Sequence, residues 1–167
     1  KKISDNNNDN NNNNNNKNDN GEGVINNELL PRVDISKKIT PNLLKDIKDG
    51  KWQEKKEAIE SIEKILYDAN YKILPVGLND LFKLITTKLS DGNKNLVKIC
   101  IGLVSKFIRS LGNNFNKFTK QFALALLPNL SDKMPTVREE CQNCLDTCVT
   151  HLGIENIILF VPPFMKN

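Results

Sequence analysis

The sequence predicts an all-α fold, a solenoid of stacked helix pairs, on three observations. From Thr40 onward the apolar residues recur at intervals of three and four, the period that places them on one face of a helix. Short polar breaks divide this pattern into six segments. The breaks themselves recur: Ile47-Lys48-Asp49-Gly50, Leu89-Ser90-Asp91-Gly92 and Leu130-Ser131-Asp132-Lys133 stand 42 and 41 residues apart.

The first helix is short, with Thr40 as N-cap, Pro41 at the first helical position and Asp49-Gly50 as its stop. The second runs from Trp52 through Ala58, Ile59, Ile62, Ile65 and Leu66 to about Asn70, and the third carries Leu78, Leu81, Phe82, Ile85 and Leu89. The fourth carries Leu96, Val97, Cys100, Ile101, Val104, Phe107, Ile108 and Leu111; being the most apolar, it belongs at the centre. The fifth follows Phe115, Phe118, Phe122, Leu126 and Leu130, with Pro128 expected to kink its last turn. The sixth follows Val137, Cys141, Cys144, Leu145, Cys148, Val149 and Leu152 and ends at Gly153, a natural C-cap. Ile154, Ile157 and Ile158 then open a seventh helix ahead of Pro162-Pro163.

Two helices per unit of about 40 residues is a HEAT-type repeat, because a single helical hairpin exposes an apolar face that only its neighbours can cover. Leu111-Gly112 and Leu152-Gly153 close two units at the same period of 41, and Val137-Arg138 is the dipeptide usual in HEAT helices. The repeats are expected at about 40–70, 77–112 and 115–153, with the start of another at 154–167. That makes three helix pairs plus the start of a fourth. Residues 1–30 are expected to form a disordered Asn-rich linker or tail, since asparagine fills 12 of the 15 positions from 6 to 20 and nothing there offsets the entropy of ordering the chain. The absence of an initiator methionine suggests a piece of a longer product, in which this segment would serve as a tether.

Several function classes are disfavoured. No apolar run reaches the length of a membrane span, and the polar N-terminus lacks a signal-peptide core, so a soluble cytoplasmic protein is expected. Cys100, Cys141, Cys144 and Cys148 sit inside apolar helical patterns, as reduced thiols acting as small core residues do. Cys141, Cys144, Cys148 and His151 resemble a metal signature, yet along one helix they spread over roughly 15 Å, too far for a single tetrahedral ion. There is one histidine, no phosphate-binding glycine loop, no Gly-x-Ser-x-Gly and no convergent acid pair, so neither an enzyme nor a cofactor is expected. The run Lys51, Lys55, Lys56 lacks the aromatic platform of a nucleic-acid site. The sequon Asn129-Leu130-Ser131 is read as chance. After residue 27 the chain holds 21 basic and 16 acidic side chains, a +5 excess that favours an acidic partner.

In a stack of this kind the turn within each pair falls on the same edge. Those turns, Asp49 to Trp52, Asp91 to Asn95 and Asp132 to Thr136, each hold a lysine (Lys51, Lys94, Lys133) and each precede a helix N-terminus with positive partial charge. An electropositive ridge is expected, with Trp52, the only tryptophan, as a candidate binding anchor.

These residues resemble the TOG (tumour overexpressed gene) domains of the microtubule polymerases, most closely the fourth such domain of those multidomain proteins. The resemblance covers about Pro31 to Gly153 and rests on Pro31-Arg32-Val33-Asp34-Ile35-Ser36, on Lys51-Trp52-Gln53-Glu54-Lys55-Lys56-Glu57-Ala58, on Asp91-Gly92-Asn93-Lys94-Asn95-Leu96-Val97, and on Val137-Arg138 with the helix to Gly153. Its most specific element is the tryptophan at the first turn. The resemblance implies a HEAT paddle that binds tubulin along its turn edge in a protein regulating microtubule plus-end growth and spindle or centrosomal microtubule organisation. It implies a location on cytoplasmic microtubules, the centrosome or the spindle pole, with no cofactor, nucleic acid, membrane or small-molecule substrate. Lys51, Trp52, Lys55, Asn93, Lys94, Asn95, Lys133 and Arg138 are the positions it implies as tubulin-facing. The family usually has six helix pairs, and often arginine where this chain has Lys55, which keeps the charge but loses bidentate pairing. The rival expectation is a generic HEAT scaffold, of the transport-receptor or phosphatase-subunit type, binding through its concave face.

Overall fold

The computed structural model describes residues 29–158. The expected disorder up to residue 28, and the part of the fourth repeat beyond Ile158, lie outside the described residues.

Local chemistry starts and stops each helix. Thr40 Oγ1 accepts a hydrogen bond from Leu43 N, and Pro41 opens α1 (Pro41–Asp49). In α2 (Trp52–Asp68) the Glu54 carboxylate accepts from Lys51 N at 2.6 Å. Lysine has no acceptor with which to reciprocate, so only half of a capping box is present. Beyond α2, Asn70 and Tyr71 both adopt left-handed backbone, φ 51° and 52°, and swing the chain toward Ile73. Asparagine tolerates this conformation; Tyr71 is held in it with its ring under the Arg109 guanidinium, 4.4 Å from the centroid.

Leu78 precedes α3 (Asn79–Lys88) without a capping hydrogen bond, whereas Asn93 caps α4 (Lys94–Leu111), which stops at Gly112 with φ +52°. Pro135 opens α6 (Pro135–Leu152), and Gly153, at φ +82°, closes it as anticipated. A single turn of helix follows at α7 (Glu155–Ile158).

The fifth helix departs from expectation. Only Thr119–Leu126 is α-helical (α5), between 3₁₀ turns at Gly112–Phe118 and Leu127–Ser131. Pro128 does more than kink the last turn: without an N–H it cannot bond to the carbonyl four residues back, and the helix ends ahead of it. Phe115 and Phe118, three apart, suit a 3₁₀ turn as well as an α-helix.

The helices form two layers, α1, α3 and α5 in one and α2, α4 and α6 in the other. Within the second layer α4 packs against both α2 and α6, with 10 of its 18 residues buried, which makes it the central helix foreseen. Phe82 of α3 anchors the core between layers, with ring centroids 4.9 Å from Phe107, 4.7 Å from Phe118 and 5.1 Å from Phe122. All four cysteines are free and buried. Burial pushes Cys100 up to about 12 and Cys141 up to about 11, so both remain thiols, and Cys141 Sγ donates to Leu126 O.

A feature that helical periodicity does not register is the strap over residues 31–39. Val33 pairs in parallel with Ile73 through Val33 N to Lys72 O at 2.8 Å and Leu74 N to Val33 O at 2.9 Å. Arg32 Nη1 donates to Ile73 O and Ser110 O, at 3.2 and 2.8 Å, and Ile35 is fully buried. The strap thereby ties the loop after α2 to the C-terminal end of α4.

Candidate protein-binding edge

The three intra-repeat turns are tied together in a row. Lys88 Nζ donates to Lys48 O at 3.1 Å, joining the ends of α1 and α3. Asn129 Nδ2 donates to Leu89 O at 3.2 Å, joining the second turn to the third. Asn129 is buried with its amide spent on Leu89 O and Ala125 O, so the sequon asparagine is a structural residue. Lys94 Nζ lies 2.8 Å from Asp132 Oδ2, a second link between the same two turns.

Each turn is shaped by an acid or a glycine. Asp91 Oδ1 accepts from Asn93 N, and Asp132 Oδ1 accepts from Met134 N, the same two-residue side-chain turn one repeat apart. The first turn instead uses Gly50, where an added Cβ would collide with the Asp46 carbonyl. The Asp132 carboxyl is held below its ordinary value, first by the hydrogen bond from Lys94 and then by that from Met134 N–H.

Against this geometry the eight anticipated positions divide. Lys51 and Lys133 are exposed, with no carboxylate within 4 Å among the described residues, and Lys55 is half-buried on the first turn of α2. Trp52, the first residue of α2, keeps 39% of its surface exposed and lies outside the buried core. Asn95 is exposed on the first turn of α4.

The other three already serve the fold. Asn93 Oδ1 caps α4 by accepting from Asn95 N and Leu96 N. Arg138 Nη1 donates to Asp132 O at 2.7 Å and Lys133 O at 3.2 Å, so the arginine of the Val-Arg dipeptide staples the third turn. Lys94 is paired with Asp132. Of the three lysines expected to make the ridge electropositive at each turn, Lys51 and Lys133 are open, while the charge of Lys94 is paired with Asp132 within the edge. Charge counting along the chain could not reveal this, because the partner sits in the next repeat.

Sequence reasoning also passed over Met134. It is the N-cap residue of α6 and 40% exposed, a second large apolar side chain on the edge. Its place immediately after Asp132-Lys133 in the recurring turn was the available signal.

A two-layer stack of helix pairs with its intra-repeat turns bonded into one edge is a HEAT-type α-solenoid. The chain is 35% identical over 132 residues to Protein MOR1 of Arabidopsis thaliana, covering 79% of this chain and 7% of that protein. It is 30% identical over 130 residues to Centrosomal protein 224 of Dictyostelium discoideum, covering 77% of this chain and 6% of that protein. Over these residues the chain is similar to the MOR1 proteins, in keeping with its resemblance to the TOG domains of the microtubule polymerases. It also matches Protein mini spindles of Drosophila melanogaster, at 25% identity over 120 residues, 72% of this chain and 6% of that protein. The fold matches, with a TM-score of 0.72 and 22% identity over 84% of this chain and 58% of the other, a structure from work on microtubule plus end tracking by XMAP215, CLIP-170 and EB1. No family model matches the chain. The chain spans about 7% of the length of the MOR1 proteins it matches.

Proposed function

We propose that this chain is a tubulin-binding module of a microtubule-associated protein, acting at growing plus ends and in spindle or centrosomal microtubule organisation. The observation that carries this reading is the turn edge, on which Trp52 and Met134 are exposed near the open lysines Lys51 and Lys133. A partly exposed aromatic flanked by cations suits an acidic protein surface: the ring supplies an anchor, and the charges steer and orient the partner.

The names of the relatives support it, since they include a centrosomal protein, mini spindles and the spindle pole body component alp14 of Schizosaccharomyces pombe. In this reading the module works by binding alone, on cytoplasmic microtubules, with no catalytic step and no cofactor.

The test is co-elution of the 167-residue chain with soluble tubulin on size exclusion. The parent chain is expected to shift with tubulin, and Lys51→Glu with Lys133→Glu to reduce the shift. A folded parent that does not co-elute, or a doubly reversed variant that co-elutes equally, contradicts the proposal.

A further inference from the structure

The layer of second helices carries a separate feature. A trough of about 600 Å³ runs along α4, between α2 and α6. Its floor is recessed by two small residues of α4, Gly102 and Ser105, and carries Lys98, Lys106 and Arg109. The sequence of α4 has four basic residues and no acidic one. Lys106 is held by Glu63 of α2 at 2.7 Å. Lys98 and Arg109 are exposed and have no carboxylate within 4 Å among the described residues. Arg109 lies over the Tyr71 ring, which fixes its position without cancelling its charge.

The neighbouring helices have the opposite balance. α2 carries five acidic residues against three lysines, and α6 three acidic residues against one arginine. Glu63 and Glu140 line the trough from these two sides. A positive floor between negative walls discriminates by shape. A broad anionic surface, such as a bilayer or a duplex, would meet the acids of α2 and α6 before reaching α4, at a cost in like-charge repulsion. A slender anionic chain fits between them. Lys98 and Arg109 are about 16 Å apart along the helix axis, the reach of five or so residues of extended polypeptide.

We propose that the α2–α4–α6 trough binds an extended acidic peptide, with Lys98 and Arg109 pairing its carboxylates at the two ends. This site lies on a different face from the turn edge and stands independently of tubulin binding there.

The test uses a fluorescently labelled twelve-residue Glu-rich peptide and the 167-residue chain, read by anisotropy at several salt concentrations. Binding is expected to weaken with salt. Lys98→Glu with Arg109→Glu is expected to weaken it at least about tenfold, whereas Lys51→Glu with Lys133→Glu on the turn edge leaves it unchanged. Gly102→Gln adds no charge and suits a helix interior better than glycine; its side chain would displace the Glu140 carboxylate, which lies 3.2 Å from where a Cβ would stand, into the trough and is expected to reduce binding as well. The proposal is overturned if the peptide does not bind, if either trough variant binds it like the parent, or if the turn-edge variant loses it equally. It is also overturned if phosphatidylserine vesicles or a DNA duplex bind the same residues as tightly.

Discussion

Lys94 Nζ lies 2.8 Å from Asp132 Oδ2, joining the first residue of α4 to the turn that precedes α6. The same aspartate accepts from Met134 N through Oδ1, and its carbonyl accepts from Arg138. Three ties therefore converge on Asp132, and the third turn of the edge takes its shape from this residue.

Its titration supplies the first prediction. The folded-state pKa of Asp132 lies below the ordinary 3.8, so the charged form stabilises the fold above that value, and the contribution is lost as pH falls through the lower folded value. Stability measured by urea unfolding across this acid window should fall less steeply for Asp132→Asn than for the parent. Parallel curves would mean that the link between the turns contributes nothing.

Asn93 and Asn95 should separate cleanly. Removing the cap, Asn93→Ala, should cost about 1 kcal/mol in urea unfolding, since both amides that Asn93 Oδ1 satisfies lose their partner. Asn95→Ala, at an exposed position, should stay within about 0.5 kcal/mol of the parent. Equal effects would remove the structural role assigned to Asn93.

Phe82 is fully buried at the junction of α3, α4 and the segment around α5. Phe82→Ala should destabilise by about 3 to 5 kcal/mol, because three close aromatic partners are too constrained to collapse into the space left. A cost below about 1 kcal/mol would show that the two layers are not joined there.

How much of this was legible in the sequence follows from the range of each interaction. The period of 41 reappears in space as the link from Asn129 to Leu89 and that from Lys88 to Lys48, each spanning 40 residues. Asp91 and Asp132, seen as a recurring motif, prove to be the same turn built twice. Helix existence, the central place of α4 and the burial of the cysteines followed from apolar spacing alone. The strap did not. A bridge between Val33 and Ile73 is too short to show a period, and Arg32 bonds to carbonyls, which every residue possesses. At the edge, Trp52 and the lysines were visible as residue types. That Lys94 is paired and Arg138 is spent on carbonyls depends on register between repeats and on loop geometry.

The central claim, that the turn edge grips tubulin, is tested most directly by the affinity of the Trp52→Ala chain for soluble tubulin, measured beside the parent with circular dichroism of both. Trp52 is 39% exposed and lies outside the core, so the variant should keep the parent's helical signal. The expected loss is at least about 2 kcal/mol in binding, some thirtyfold in Kd, as for an anchor whose truncation removes a hot spot. A folded Trp52→Ala chain that binds tubulin as tightly as the parent would contradict that claim.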